Sequence, residues 1–134
     1  MVKHHGVQFL DKKHDKLIIN KTNKNDIVNL LGKPSTKSSF DNDVWIYIER
    51  KTSTGSIYKL GKKKLLVNNV LVLEIDQMGM LSSKKFYDKE SMNDIEIAVS
   101  STDPVYGKRS FVYDFLSSMR QKINDPLGKR AKQD

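Results

Sequence analysis

The amino-acid sequence predicts an α+β fold, in which two short N-terminal helices pack on one face of a three-stranded antiparallel meander and a further helix lies near the C-terminus. Three observations support this prediction. They are a capped amphipathic segment that ends before Pro34, three strand-type segments between residues 44 and 88, and apolar residues at helical spacing after residue 110. At 134 residues, the chain has the length of one domain.

The first predicted helix covers residues 9–19, FLDKKHDKLII. Its apolar residues recur among charged residues with approximately helical spacing, which is typical of a short amphipathic helix on a protein surface. They are Phe9, Leu10, Leu17 and Ile18. The polar sequence NKTN then separates this helix from the next one.

The second predicted helix begins after Asn23, a residue type that favours the N-cap position. Asp26 follows three residues later, in a pattern similar to a capping box. A narrow apolar stripe is formed by Ile27, Leu30 and Leu31. Gly32 can adopt the left-handed conformation that ends a helix, and Pro34 prevents the helix from continuing.

Three segments predict the antiparallel meander. Residues 44–50, VWIYIER, are β-branched and aromatic, and residues 81–88 form the last strand. Residues 65–76 alternate between apolar and polar, and the polar segment 51–64 precedes them. The apolar face of this middle strand, with Asn69 as an exception, contains Leu65, Val67, Leu71, Leu73 and Ile75. Gly79 is expected to have a positive φ angle in the turn before the last strand.

The region after residue 88 predicts a third helix whose apolar face needs a partner. Ser110 is a candidate N-cap. The apolar residues at helical spacing are Phe111, Phe115, Leu116, Met119 and Ile123. We therefore divide the chain into an N-terminal segment (1–8), a domain (9–88), a C-terminal extension with the helix (89–126), and a basic disordered tail (127–134).

The positive charge of the chain is concentrated in its first half. Residues 1–67 carry 14 Lys+Arg and 6 Asp+Glu, whereas residues 68–134 carry 10 of each. Such a field attracts phosphate groups, either of nucleic acid or of anionic lipid headgroups, although a lysine-rich solvated surface gives the same composition. Cysteine is absent, which excludes disulfides, thiolate catalysis and cysteine-ligated zinc.

No pattern of catalytic residues is recognisable. His4 and His5 are expected at a frayed N-terminus, and His14 in a helix of charges, so all three favour a solvated role. The sequence DND at Asp41–Asp43 resembles the start of a calcium loop but lacks the required Gly and Glu. We therefore predict a protein that is not an enzyme and that uses no metal or cofactor.

A cytosolic nucleic-acid-binding module remains open as the alternative. Trp45, Tyr47, Phe86 and Tyr87 fall on predicted strands beside many lysines, and aromatic residues on a sheet can stack with bases. The RNP-type glycine–aromatic motif is absent, however. Core packing is the commoner role of aromatic residues in a strand that also contains Val44 and isoleucines.

The most specific pattern lies between residues 20 and 50. The sequences NKTNKNDIVNLLGKPS and FDNDVWIYIER resemble the SmpA/OmlA domain of the BamE family of outer-membrane assembly lipoproteins. The residues that carry this resemblance are Ile27, Leu31, Gly32, Pro34, Phe40, Trp45, Tyr47 and Arg50. LVLEIDQMGML resembles the next strand of the family, and STDPVYGKRSFVYDFLSSMRQKIND resembles the extension of alphaproteobacterial members.

The resemblance implies a non-catalytic accessory subunit of the β-barrel assembly machinery. Such a subunit supports the folding and insertion of outer-membrane β-barrel proteins and is held by an acylated cysteine on the periplasmic face of the outer membrane. The expected partners are the barrel subunit, the repeat-containing lipoprotein subunit and anionic phospholipid, with no nucleic acid. The native signal and lipobox cysteine would then lie upstream of this sequence.

The same resemblance implies two contact regions. Partner-binding residues of the family map to Phe40, Trp45, Tyr47 and Arg50. Phe40 is the best candidate because it falls in a polar turn, and sheet packing is the competing role for Trp45 and Tyr47. Lipid phosphates are expected to bind Lys62, Lys63 and Lys64.

Overall fold

The computed structural model of the chain describes residues 2–53, 64–94 and 106–124, and within these ranges it confirms the α+β class. The described residues form five strands and three α-helices, in the order β1 (Val2–Gly6), α1 (Leu10–Lys13), α2 (Lys24–Leu31), β2 (Thr36–Ser39), β3 (Asp43–Ser53), β4 (Lys64–Ile75), β5 (Leu81–Tyr87) and α3 (Tyr106–Asn124). Short 3-10 helices cover His14–Lys16 and Ser91–Asp94.

The described strands form one antiparallel sheet that is larger than the predicted three-stranded meander. β3, β4 and β5 form that meander, with Tyr47 opposite Leu71 and Leu71 opposite Phe86. β1 and β2 both pair with the other edge of β3, β1 with residues 49–53 and β2 with residues 43–46. The sheet order is therefore β1-β3-β4-β5, with β2 on the same edge of β3 as β1. The sequence did not predict β1 or β2 because neither segment has an apolar alternation.

β1 corrects the expectation of a frayed N-terminus, since His4 and His5 lie in a paired strand. The strand ends at Gly6, which has a φ angle of 84° and lies so close to β3 that a Cβ atom there would overlap the carbonyl oxygen of Ile48. The buried carboxylate of Glu49 then accepts hydrogen bonds from the backbone N–H groups of Phe9 (2.9 Å) and Leu10 (3.0 Å). This carboxylate fixes the start of α1.

The N-terminal helices differ in how well the sequence predicts them. The capping box of α2 is confirmed, because the Asn23 side chain accepts a hydrogen bond from the Asp26 N–H (2.8 Å) and the Asp26 carboxylate accepts one from the Asn23 N–H (3.2 Å). The helix ends at Gly32 with a positive φ angle of 81°. The first predicted helix is wrong in length: α1 has one turn, a 3-10 turn follows, and the side chains of Phe9 and Ile18 are exposed.

The sheet is covered by helices on both faces. We call the face towards α1 and α2 the first face and the face towards α3 the second face. Buried residues of the first-face core are Leu10, Leu17, Ile27, Leu31, Trp45, Tyr47, Leu71, Leu73, Ile75 and Leu81. Those of the second-face core are Val44, Ile46, Val70, Val72, Met92, Leu116 and Met119.

The C-terminal helix is confirmed, and its partner is the sheet of its own chain. It begins at Tyr106, so the proposed cap Ser110 lies inside the helix. Phe111, Phe115, Leu116 and Met119 pack against the second face as their spacing predicts. The side chain of Ile123 lies outside the described residues.

Candidate subunit-contact surface

The turn between β2 and β3 carries the strongest predicted contact residue. Phe40 lies at the tip of this turn, and 39% of its surface is exposed. The turn is held by a hydrogen bond from the Phe40 N–H to the Asn42 carbonyl oxygen (3.0 Å) and by one from the Ser39 hydroxyl to the Asp43 carboxylate (3.0 Å). Because these bonds fix the backbone around it, the Phe40 ring is presented from a defined position.

The Phe40 ring also contacts the first turns of α3. Its centroid lies 6.0 Å from that of Phe111, with the ring planes tilted by 54°, a geometry that aromatic pairs favour. A Cβ atom added at Gly107 would lie 3.4 Å from Cε1 of Phe40, so the glycine leaves room for the ring. The predicted contact residue is therefore engaged in part by the protein's own C-terminal helix.

An ion-pair cluster beside Phe40 reinforces this contact. The Lys108 ammonium lies 2.9 Å from Oδ1 of Asp41 and 3.0 Å from Oε1 of Glu74. Burial opposes the charge of Lys108, but the hydrogen bonds to the two carboxylates outweigh it, so the pKa of Lys108 lies above its ordinary value. The hydrogen bond from Lys108, with that from the Asn42 N–H, lowers the pKa of Asp41.

Trp45 and Tyr47 lie in the first-face core, where they are 8% and 0% exposed. The Tyr47 hydroxyl donates a hydrogen bond to the carbonyl oxygen of Gly32 (2.7 Å), which ties the end of α2 to the sheet. Burial raises the pKa of Tyr47 to about 12. Packing is thus the role that the structure shows for both residues, as alternate positions on one strand share a face.

Arg50 lies on β3, far from the turn before this strand that carries Phe40. Residues 43 to 50 of an extended strand span roughly 23 Å, so the two predicted contact residues lie towards opposite ends of the sheet. Arg50 faces His5 and Asn68 on the neighbouring strands. Within the described part of the chain, its Nε atom and the Asn68 Oδ1 atom are buried without a hydrogen-bond partner.

The predicted lipid-binding lysines are only partly covered by the structure. Lys62 and Lys63 lie outside the described residues. Lys64 begins β4 and pairs with Ser53, while Val2 pairs with Ser53 from the other side. The start of β1 and the point at which β4 begins therefore lie at the same end of the sheet as Arg50, opposite the end that carries Phe40.

The stacking platform required by the nucleic-acid alternative does not form. Trp45 and Tyr47 are buried, and Phe86 is stacked on His14 with the ring centroids 4.3 Å apart and the planes within 9° of parallel. The same contact shows that His14 packs against the sheet and is not simply solvated. Nothing in the described residues supports base stacking by this sheet.

Sequence reasoning missed two features of the surface. The ion pairs of Lys108 were missed because Asp41 and Lys108 are far apart in sequence and because the predicted helix began only after Ser110. Since the helix begins at Tyr106, Lys108 lies three residues before Phe111 on the same side of it. The second feature is the exposure of three apolar side chains around α1 and the 3-10 turn that follows it. The exposed fractions are 58% for Phe9, 53% for Ile18 and 43% for Ile19.

No group of three or more His, Asp or Glu side chains in the described ranges is arranged to hold a metal ion. No described helix combines the length and apolar character that a membrane span needs.

Comparisons with known proteins give one match. Neither the curated proteins nor the solved structures contain a match to the chain. Residues 8–84, more than half of the sequence, match the outer membrane protein assembly factor BamE domain. This region contains α1, α2, β2, β3, β4 and most of β5, so the match covers the first-face core and the turn that carries Phe40. The chain therefore belongs to the BamE family of outer membrane protein assembly factors.

Proposed function

We propose that the protein is a non-catalytic subunit of the β-barrel assembly machinery at the periplasmic face of the outer membrane, anchored there by lipid in its native form. It connects the barrel subunit and the repeat-containing lipoprotein subunit and so supports the insertion of outer-membrane β-barrel proteins. The observation that carries this proposal is Phe40, a large apolar side chain, 39% exposed, on a hydrogen-bonded turn of the family domain.

Phe40 suits a contact residue for physical reasons. Aromatic side chains bury a large area with few rotatable bonds, which is why they dominate the binding energy of many interfaces. Phe40 stands beside Asp41, whose side chain is 70% exposed and offers a charged acceptor to a partner. Trp45 and Tyr47 support this turn indirectly, because they pack the N-terminal helices against the first face of the sheet at β3.

Arg50 and the lysines have a different role in the proposal, which is contact with anionic phospholipid. Among the described residues, Arg50 and Lys64 lie towards the end of the sheet where β1 starts and β4 begins, and Lys3 and Lys51 lie at the same end. Phe40 would then point away from the membrane surface.

The test is co-purification of the tagged full-length protein from detergent-solubilised envelopes, with the co-purifying chains identified by mass. The wild type should recover the barrel subunit and the repeat-containing lipoprotein. Phe40→Ala should reduce this recovery, because the loss of a hot-spot residue weakens binding by about 30-fold or more. Met78→Ala is the matched control, because Met78 is a turn residue with 88% exposure. Recovery of RNA and ribosomal proteins in place of the two subunits would refute the proposal.

Lipid binding is tested separately with vesicles of phosphatidylglycerol and of phosphatidylcholine. Co-sedimentation should require phosphatidylglycerol and should weaken when Lys62, Lys63 and Lys64 are changed to Glu. Changing Lys33, Lys37 and Lys85 to Glu alters the net charge equally at exposed positions elsewhere, so this variant should bind more strongly than the first one. Equal losses would mean that net charge, and not this end of the sheet, controls binding. Arg50→Glu should likewise weaken binding without unfolding the domain, which circular dichroism checks.

A further inference from the structure

We propose that α3 is a built-in competitor for the surface around Phe40. In the free protein α3 occupies this surface together with the second face, and an amphipathic helix of a partner subunit takes its place on binding. The inference rests on the proposed function, in which Phe40 contacts a partner, and adds to it a way of regulating that contact.

The boundary of the family domain is the first support. The matched region ends at residue 84, whereas α3 begins at Tyr106. The second face belongs to the matched region, but its cover does not: Met92 and α3 both lie outside it. A sheet face lined by buried valines and isoleucines needs a cover. α3 thus covers, from outside the matched region, a sheet face that residues 8–84 alone would leave open.

The contacts of α3 with the Phe40 turn are the second support. Phe111 packs on the Phe40 ring, and Lys108 binds the adjacent Asp41. A partner that covers the part of the Phe40 ring on which Phe111 packs, or that pairs with Asp41 in place of Lys108, can do so only after α3 has moved away. Such a contact and the α3 contact therefore exclude each other.

The chemistry of the competing helix can be read from α3 itself. Its sheet-facing side carries a cation, which meets two carboxylates, and an apolar stripe that begins three residues later. These residues are Lys108, Phe111, Val112, Phe115, Leu116 and Met119. A partner helix with this pattern would satisfy Asp41 and Glu74 and would cover the second face. The sheet face therefore selects an amphipathic helix with a basic residue before its apolar stripe.

The first measurement asks whether α3 can be exchanged. We call the full-length protein with Lys108→Glu and Phe111→Ala the released variant. The probe is a fluorescent peptide of residues 106–124 with the wild-type sequence, followed by fluorescence anisotropy. The released variant should bind this peptide at least about tenfold more tightly than the wild type, whose own α3 blocks the site. Arg109→Glu, an equal change of charge at the adjacent exposed position, should behave as the wild type.

Folding is checked with Trp45, the single tryptophan of the chain, which is buried at the first face and reports on the domain independently of α3. If the released variant loses the native Trp45 emission, Lys108→Glu alone replaces it. Lys108→Glu combined with Glu74→Lys should restore part of the blocked state, because the ion pair with residue 74 is then reversed. Absence of peptide binding by every folded variant would overturn the inference.

The second measurement titrates the purified repeat-containing lipoprotein subunit. The released variant should bind it about five- to tenfold more tightly than the wild type, since it no longer has to displace α3. Unchanged or weaker binding by a variant that accepts the peptide would overturn the inference, while a loss of binding in Phe40→Ala would show that the proposed function still holds. If neither the wild type nor the released variant binds the subunit, the proposed function fails and the inference fails with it.

Discussion

The two faces of the sheet are covered by different kinds of contact. The helical segment 10–31, which covers the first face, is joined to the sheet by backbone hydrogen bonds. Leu81 N–H donates to the Thr22 carbonyl oxygen (2.8 Å), and Asn20 N–H donates to the Leu81 carbonyl oxygen (2.8 Å). In the described ranges, no backbone–backbone hydrogen bond joins α3 to the sheet, and side-chain packing with the Lys108 ion pairs holds it there.

This difference indicates that the first face is part of the cooperative domain, whereas the second face has a cover that can separate. Backbone hydrogen bonds that leave the helices and enter the sheet cannot break without exposing buried polar groups. Packing of α3 can be lost as a unit, because the helix satisfies its own backbone. The comparison predicts that equivalent substitutions on the two faces have different consequences.

The largest effect is expected from Leu71→Ala on the first face. Leu71 is fully buried between Tyr47 and Phe86 on the neighbouring strands. The cavity should lower the free energy of unfolding by about 2–5 kcal/mol. Urea denaturation followed by Trp45 fluorescence and by circular dichroism should give one common transition at a lower urea concentration. Two separated transitions would contradict the assignment of this face to one cooperative unit.

Leu116→Ala makes an equally large cavity at the second face, with a more limited consequence. Leu116 is 1% exposed, and its truncation should cost about 2–4 kcal/mol locally. Once this cost exceeds the docking free energy of α3, the helix separates and the remaining domain loses no more stability. Hydrogen exchange should accelerate in α3 but change little in β3 and β4. Acceleration throughout the sheet would mean that both faces belong to one unit.

The strand sequences predicted the burial of the first face of the sheet but not that of the second face. The alternation of residues 71–75 correctly predicts the first face, with Leu71, Leu73 and Ile75 in its core. The second face was missed, although VWIYI at residues 44–48 is a continuous apolar run, which is typical of a strand buried on both sides. The sequence also indicated that the apolar side of α3 needs a partner. The structure shows that this partner is the second face of the sheet.

Local chemistry predicted the elements whose signals lie within a few residues. The Asn23 capping box and the turn glycine Gly79, with a φ angle of 84°, are as expected. β1 and β2 could not be predicted, because VKHHG and TKSS become strands only by pairing with β3. For the candidate site, the sequence correctly placed Phe40 in a turn, but long-range packing decided that Trp45 and Tyr47 are buried.

A smaller effect is expected from Tyr47→Phe, which tests the first face without making a cavity. The substitution removes only the hydrogen bond of the hydroxyl to the Gly32 carbonyl oxygen. The loss should lower the free energy of unfolding by about 1 kcal/mol. Thermal unfolding monitored by circular dichroism measures this change, and peptide binding at the second face should be unaffected. A stability equal to that of the wild type would mean that water replaces Tyr47 at Gly32.

The smallest effect should appear in acid, and it should affect the second face first. Two carboxyl groups with a lowered pKa hold elements of that cover. Hydrogen bonding from Lys108 lowers the pKa of Asp41, and hydrogen bonding from the Ser91 N–H lowers that of Asp88, at the start of the 3-10 turn that carries Met92. Both groups have an ordinary pKa of 3.8.

The sign follows from the charged forms being favoured in the folded state. Their stabilisation is complete above the unfolded pKa and is lost as the pH falls through the lower folded values. As the pH falls below the ordinary pKa of 3.8, the methyl NMR signals of Leu116 and Met119 should therefore lose their dispersion before those of Leu71 and Leu73. Lys108→Ala should reduce the acid response that depends on Asp41. Simultaneous loss at both faces would show that acid unfolds the domain as a whole, and that the cover of the second face is not the weaker one.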